Sequence, residues 1–221
     1  MELVLLIDVS ASVSAGEYAL QAQGLATAFD SAEVREAIGN TRGGLAVSVI
    51  QWADKDSQVV AIDWTLVETA AEAGQLAQRL ATMPRLVQGG HTALGNALSK
   101  ALLALEFNDY QGLRRVIDLS GDGRTNDGRP LRGARREVLD RGIVINGLAI
   151  LNELPLLADY FRQHLIGGQG AFVVTAADYQ DFAEVMRQKL IREIGSMPVA
   201  LQSGPRSRQA TLLARRDPRP F

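Results

Sequence analysis

The chain has 221 residues, of which 47% are hydrophobic and 22% charged, and it contains no cysteine. That size and composition suit one sizeable α/β domain with an apolar core, and exclude disulfides, thiolate metal sites and a cysteine nucleophile. A formal net charge of −2 gives no electrostatic case for nucleic acid or an anionic membrane as partner.

The first element is a short aliphatic run, Leu3-Val4-Leu5-Leu6-Ile7, that ends in Asp8. Too short to cross a membrane, it reads as a strand buried on both faces. Ser14-Ala15-Gly16-Glu17 has capping-box spacing and opens an amphipathic helix carried by Tyr18, Leu20, Leu25, Phe29, Val34 and Ile38 toward Gly39. Strands follow at 45–52 and 59–66, joined by the polar turn Asp54-Lys55-Asp56-Ser57, which predicts an antiparallel hairpin at a sheet edge. Trp52 and Trp64 in this hairpin are expected to pack under its neighbouring helix.

A helix runs from Thr69 to about Met83. After the glycine-marked turn Gly89-Gly90-His91-Thr92 another spans 93–107. A strand at 114–120 ends in Gly121-Asp122-Gly123, and a helix is predicted over 130–141. A strand follows at 143–150, a helix at 155–165 and a short strand at 171–174. The last helix is capped by Asp178, carries Asp181 in its first turn and ends near Ile194. Beyond Gly195 four prolines stand among arginines with little apolar periodicity, which predicts a folded domain over 1–195 and a disordered tail over 196–221.

Alternating strands and helices with one early hairpin predict a doubly wound, mostly parallel six-stranded sheet. Its expected order is 3-2-1-4-5-6, with one antiparallel edge strand and helices on both faces. No stretch reaches transmembrane length. The first strand starts too near Met1 to leave room for a signal peptide. This fits the cytoplasm, or the periplasm or exterior if a leader was removed ahead of Met1.

Three connections carry unusual polar sets. Asp8-x-Ser10-x-Ser12 leaves the first strand, Thr92 precedes a helix, and Asp122 leaves the fourth strand. Taken alone, Asp-x-Ser-x-Ser reads as well for a helix cap as for a metal loop. In a doubly wound sheet, however, ligands bind at the carboxyl ends of strands where the winding reverses, and the first and fourth strands flank that point. Asp8 and Asp122 would then face one another across a crevice with Thr92 at its rim. Two acids and three hydroxyls make a hard-oxygen set suited to Mg²⁺, Mn²⁺ or Ca²⁺.

Asp8-Val9-Ser10-Ala11-Ser12, then Thr92, then Asp122 in a Gly-Asp-Gly turn resembles the metal-ion-dependent adhesion site of von Willebrand factor A (VWA) domains. The likeness runs from Leu3 to Ile194. The stretch 114–126 further resembles a bacterial VWA-like family of unassigned function. The resemblance implies that Asp8, Ser10 and Ser12 ligate directly or through water. It implies that Thr92 does so according to conformation, and Asp122 mainly through water. One departure is Gly121, where many VWA domains carry Ser or Thr; Ser120 is displaced by one position. The implied function is a monomeric protein-binding module whose cation accepts an Asp or Glu carboxylate from a partner. The alternative is a metal-dependent hydrolase at the same cation.

Other residues have plainer readings. His91 is expected to be a solvated loop residue and His164 a structural one near a helix end. Asn126 and Asp127 read as turn formers. Asp118 lies about 13 Å along an extended strand from Asp122, too far to share an ion, and reads as a partnered structural acid. The sequence lacks an aspartyl-phosphatase acid at position 10, a Gly-x-Gly-x-x-Gly turn after the first strand and a Gly-x-Ser-x-Gly frame around Ser120.

Overall fold

The computed structural model describes residues 1–195, so the tail expected over 196–221 lies outside the described residues. Strand β1 (Glu2–Asp8) is buried along its whole length. It lies between parallel neighbours β2 (Leu45–Trp52) and β4 (Arg115–Gly121). Both edges and both faces are covered, which is why its sequence is a continuous aliphatic run rather than an alternating one.

The six strands lie in the order β3-β2-β1-β4-β5-β6, with β3 (Gln58–Val67), β5 (Val144–Ile150) and β6 (Val173–Ala176) completing the sheet. Every pairing is parallel except the β2–β3 hairpin. Order, hairpin and fold class are those expected from the sequence. Winding reverses between β1 and β4, where Ile7 is paired with Ser120. Asp8 and Gly121 therefore leave the sheet side by side.

Helices cover both faces. On one, α1 (Ala15–Asp30), α2 (Ala32–Gly39), α3 (Ala70–Ala81) and α7 (Phe182–Gly195) lay Phe29, Ile38, Leu80 and Phe182 over Leu3, Leu5 and Ile7. On the other, α4 (Leu94–Glu106), α5 (Leu131–Leu139) and α6 (Leu157–Tyr160) lay Leu98, Val138 and Leu157 over Val4, Leu6 and Trp52. Trp52 is fully buried on the α4 side, and the Trp64 indole N–H donates to Ala104 O of α4 (3.2 Å). Both tryptophans thus pack as expected. Among the described residues no helix is long and apolar enough to cross a membrane.

Four local expectations change. The helix read as continuous from Ser14 to Gly39 is broken at Ser31, which ends α1 and starts α2. Its extended ψ of 146° and the Val34 N–H donated to its side chain (3.3 Å) offer the chain a local alternative to the helical ladder. The helix expected over 155–165 is one α turn followed by a π-helical turn, Phe161–Leu165, closed by Ile166 N–H donating to Phe161 O (3.0 Å). The last strand starts at Val173 because the Phe172 N–H is taken by the Asn146 side chain (2.9 Å). Asp178 accepts from the N–H groups of Gln180 (2.7 Å) and Asp181 (3.3 Å), closing the turn ahead of α7, and Asp181 precedes the helix rather than lying in its first turn.

Candidate metal centre

Where β1 ends, Asp8 is fully buried and turns the chain back on itself. The Ser10 N–H donates to Asp8 Oδ1 (2.8 Å), an Asx-type closure, and the Val13 N–H donates to Ser10 O (3.0 Å). This brings the Ser10 and Ser12 hydroxyls to 3.3 Å from each other. Three other segments pin the loop. Gln21 of α1 donates its amide to Asp8 O (3.0 Å). Arg85 spreads its guanidinium over Val9 O (2.8 Å), Val13 O (2.9 Å) and Ser10 O (3.3 Å). The Ala11 N–H donates to Gly90 O (3.0 Å), which joins the first loop to the second. Gly90 has φ of +97°, and a Cβ there would come within 2.4 Å of Asp54 Oδ2, so only glycine suits the position.

The second loop delivers Thr92, which is buried while its neighbour His91 is exposed. Thr92 is bracketed by the segment beyond Asp122. Its N–H donates to Asn126 Oδ1 (2.8 Å), and its carbonyl accepts from Asn126 N–H (2.9 Å) and Thr125 Oγ1 (3.1 Å). Asn126, read from the sequence as a turn former, therefore positions Thr92. Asp127 accepts from Lys55 N–H (3.0 Å), tying the same segment to the β2–β3 turn. A Cβ on Gly123 would lie 3.3 Å from Thr92 Oγ1, so that hydroxyl faces the backbone just past Asp122.

Asp122, also buried, receives a hydroxyl on each oxygen. Ser12 Oγ donates to Oδ1 (2.8 Å) and the Tyr179 phenol donates to Oδ2 (3.0 Å). Burial, and then the negative charge of Asp122, push the Tyr179 phenol upward, so it stays a donor. Because Ser12 gives its proton to Asp122, Ser10 is the donor in their 3.3 Å contact, and Ser12 keeps one lone pair to meet a cation.

Asp8 lies opposite. Burial, and then the charge of Asp122, push its carboxyl up to about 7. Its Oδ2 is buried and has no hydrogen-bond partner. The Gly121 departure has its cause here: a Cβ at Gly121 would stand 2.8 Å from that Oδ2 and 3.5 Å from the Trp52 ring, so the carboxylate occupies the space a Ser or Thr would need. Ser120 is turned away, donating to Leu6 O (3.4 Å).

Three chain segments thus bring Asp8, Ser10, Ser12, Thr92 and Asp122 to one end of the sheet. Two close carboxylates, one with an oxygen no protein group satisfies, and three hydroxyls fit a hard divalent cation. No group of three or more His, Asp or Glu that could hold a metal gathers among the described residues. Asp118 is remote from this set. It is buried in mid-strand with Lys189 Nζ at 2.6 Å, the partnered acid expected. His164 packs at a tilt against Tyr160 (4.9 Å between ring centroids). Arg85 and Tyr179 had no signal in the sequence: neither belongs to a motif, and each acts across a long stretch of chain.

Comparison with known proteins bears on fold and family. Proximal thread matrix protein 1 from the mussel byssus, in a form with a zinc-occupied MIDAS motif, superposes with a TM-score of 0.60 at 17% identity, over 86% of this chain and 46% of that one. A von Willebrand factor type A protein from Catenulispora acidiphila gives 0.61 at 17% identity, over 88% and 42%. The conserved hypothetical protein BatB from Bacteroides thetaiotaomicron gives 0.60 at 16% identity, over 89% and 100%. The chain spans less than half the length of the first two. Among curated proteins none matches in sequence. At these identities the likeness establishes the fold, that of VWA domains. A family model matches residues 1–198, and the chain belongs to that family, described as protein of unknown function DUF1194.

Proposed function

We infer that the protein is a metal-ion-dependent binding module. Asp8, Ser10, Ser12, Thr92 and Asp122 hold a divalent cation of the Mg²⁺ type, and a carboxylate from an Asp or Glu of a partner protein completes its coordination. The observation that carries this reading is the pair Asp8 and Asp122. Both are buried, and burial together with the charge of Asp122 raises the cost of ionising Asp8, whose Oδ2 has no hydrogen-bond partner. Two buried carboxylates held together without a cation between them are a liability to the fold; with one they are a site. Supporting it are the hydroxyl donors on Asp122, which orient the acid while leaving neutral oxygens toward the ion. Neutral ligands leave the cation part of its charge, which then attracts an outside carboxylate. The zinc-occupied MIDAS motif of the mussel protein, which shares this fold, supports the reading.

Thermal unfolding with and without Mg²⁺ tests the reading. An ion that binds only the folded chain adds about 2.7 kcal/mol at a hundred times its Kd. For a domain of this size that raises Tm by about 5–10 °C. Asp8→Ala is expected to abolish the increment. Tyr179→Phe keeps the ring but frees Asp122 Oδ2, and is expected to weaken the ion about tenfold, in line with other groups that orient a ligand. An equal Mg²⁺ response in wild type and Asp8→Ala would show that the ion sits elsewhere.

A further inference from the structure

Between α5 and the α6–π-turn segment lies a groove of about 470 Å³. Tyr160, Gln163 and His164 line it and also line a smaller depression that reaches Arg124 and Leu156. The two form one continuous surface. Its charge is one-sided. Arg132 is exposed, with no acid contact among the described residues. Arg124 is exposed too, and its guanidinium rests over the Tyr160 ring (5.3 Å). Arg135 spends its hydrogen bonds on Leu165 O and Ile166 O and adds its charge uncompensated. The acid of this surface, Asp159, is paired with Arg162 (2.6 Å). A basic groove on a chain of net charge −2 runs against the overall balance.

The groove is also attached to the metal loops. Arg124 is two residues past Asp122, so its Cα is at most about 7 Å farther along the chain. Thr125, next to it, donates to the carbonyl of Thr92 (3.1 Å). A peptide in a polyproline II conformation with one carboxylate at the cation would bring the side chain three residues on to the same side, roughly 9 Å along, toward the Arg124 guanidinium. Leu131 and Leu156 give the same surface an apolar component. A phosphate or a nucleic acid backbone has no use for it, whereas a peptide mixing acidic and apolar residues does.

We propose that this groove is the second half of the partner site. It takes an acidic, partly apolar segment of the partner protein whose first acid coordinates the cation and whose following acids pair with Arg124 and Arg132. The proposal rests on the metal-dependent binding reading for its first contact only. Exposed arginine–carboxylate pairs contribute modestly, so each arginine is expected to add about fivefold or less to affinity, and to make it salt-dependent.

The test uses the full chain and two labelled synthetic peptides, one with a single Glu in a Gly-Ser background and one of Glu-Gly-Leu repeats. Affinities are read by fluorescence anisotropy in Mg²⁺ and in EDTA. The repeat peptide is expected to bind about tenfold more tightly in Mg²⁺ than the single-Glu peptide. The double variant Arg124→Glu/Arg132→Glu should erase that advantage while the single-Glu peptide keeps its dependence on Mg²⁺. Thermal unfolding of the double variant checks that it folds; should it not, Arg124→Gln/Arg132→Gln replaces it. If the double variant retains the full advantage, and EDTA still abolishes binding, the groove proposal fails and the metal reading stands. If repeat-peptide binding survives EDTA and Asp8→Ala but falls in the double variant, the groove stands and the metal reading fails. Absence of binding by either peptide overturns both. Tighter binding of a single-stranded oligonucleotide, lost in the double variant, would overturn the peptide as occupant.

Discussion

Asp8 pays for its position in proton affinity. Its carboxyl sits at about 7, raised first by burial and then by Asp122, against an unfolded value near 3.8. An acid whose pKa is raised on folding favours the folded state while it stays protonated. In EDTA, stability is therefore expected to be greatest, as far as this group decides, below about pH 4. It should fall with a slope of at most about 1.4 kcal/mol per pH unit and level off above about pH 7, a total of about 4 kcal/mol. Asp8→Asn removes the ionisation and should flatten this profile, leaving the metal-free variant more stable than wild type at about pH 8. Urea unfolding in EDTA at about pH 5 and pH 8 checks it; equal slopes for wild type and Asp8→Asn would show that Asp8 is not strained by its site. At this scale the sequence was legible wherever the candidate residues share a strand exit. Asp8, Ser10 and Ser12 stand in one short stretch. Thr92 and Asp122 follow from the order in which a doubly wound sheet presents its loops. Arg85 and Tyr179 were not legible, because one arginine after a proline and one tyrosine in a polar turn look like any surface loop until the fold brings them round.

Among the elements, α7 is fastened to the sheet by charge as well as by apolar packing. Lys189 and Glu193 are fully buried over Asp118 of β4 and Asn146 of β5. Lys189 Nζ lies 2.6 Å from Asp118 and 3.1 Å from Glu193, and the Asn146 amide donates to Glu193. One cation cannot keep two buried carboxylates ionised. Burial pushes Asp118 well up against the pull of Lys189. Glu193, despite its own burial, is held down by Lys189 and by the hydrogen bond from the Asn146 amide. Of the two acids, Asp118 is therefore the one pushed toward holding a proton and Glu193 the one pushed toward losing it. Asp118→Asn, a neutral mimic, is expected to cost less than about 1 kcal/mol, whereas Glu193→Gln strands Lys189 and should cost about 3–5 kcal/mol. Urea denaturation of both variants decides this; equal costs would mean both acids are ionised. The sequence showed Asp118 as a buried acid needing a partner, but not which one, since Lys189 and Glu193 look like the solvated side of an amphipathic helix. The break at Ser31 was hidden for a related reason: apolar spacing continues through it, and only the side chain's competition for backbone N–H groups ends α1.

Over the whole molecule, strand order and the antiparallel edge followed from alternation and the early hairpin, because few topologies connect such elements without crossing. What the chain does at the resulting crevice comes down to whether a cation resides there. The groove, with its uncompensated arginines, matters to the account only if the first carboxylate has an ion to meet. The most direct measurement is an anomalous difference map from crystals of the full chain grown in Mn²⁺, which scatters anomalously and takes the same oxygen ligands as Mg²⁺. The account predicts a peak enclosed by the side-chain oxygens of Asp8, Ser10, Ser12, Thr92 and Asp122, and its loss in Asp8→Ala crystals. No peak there at saturating Mn²⁺, or one at another part of the surface, would contradict it.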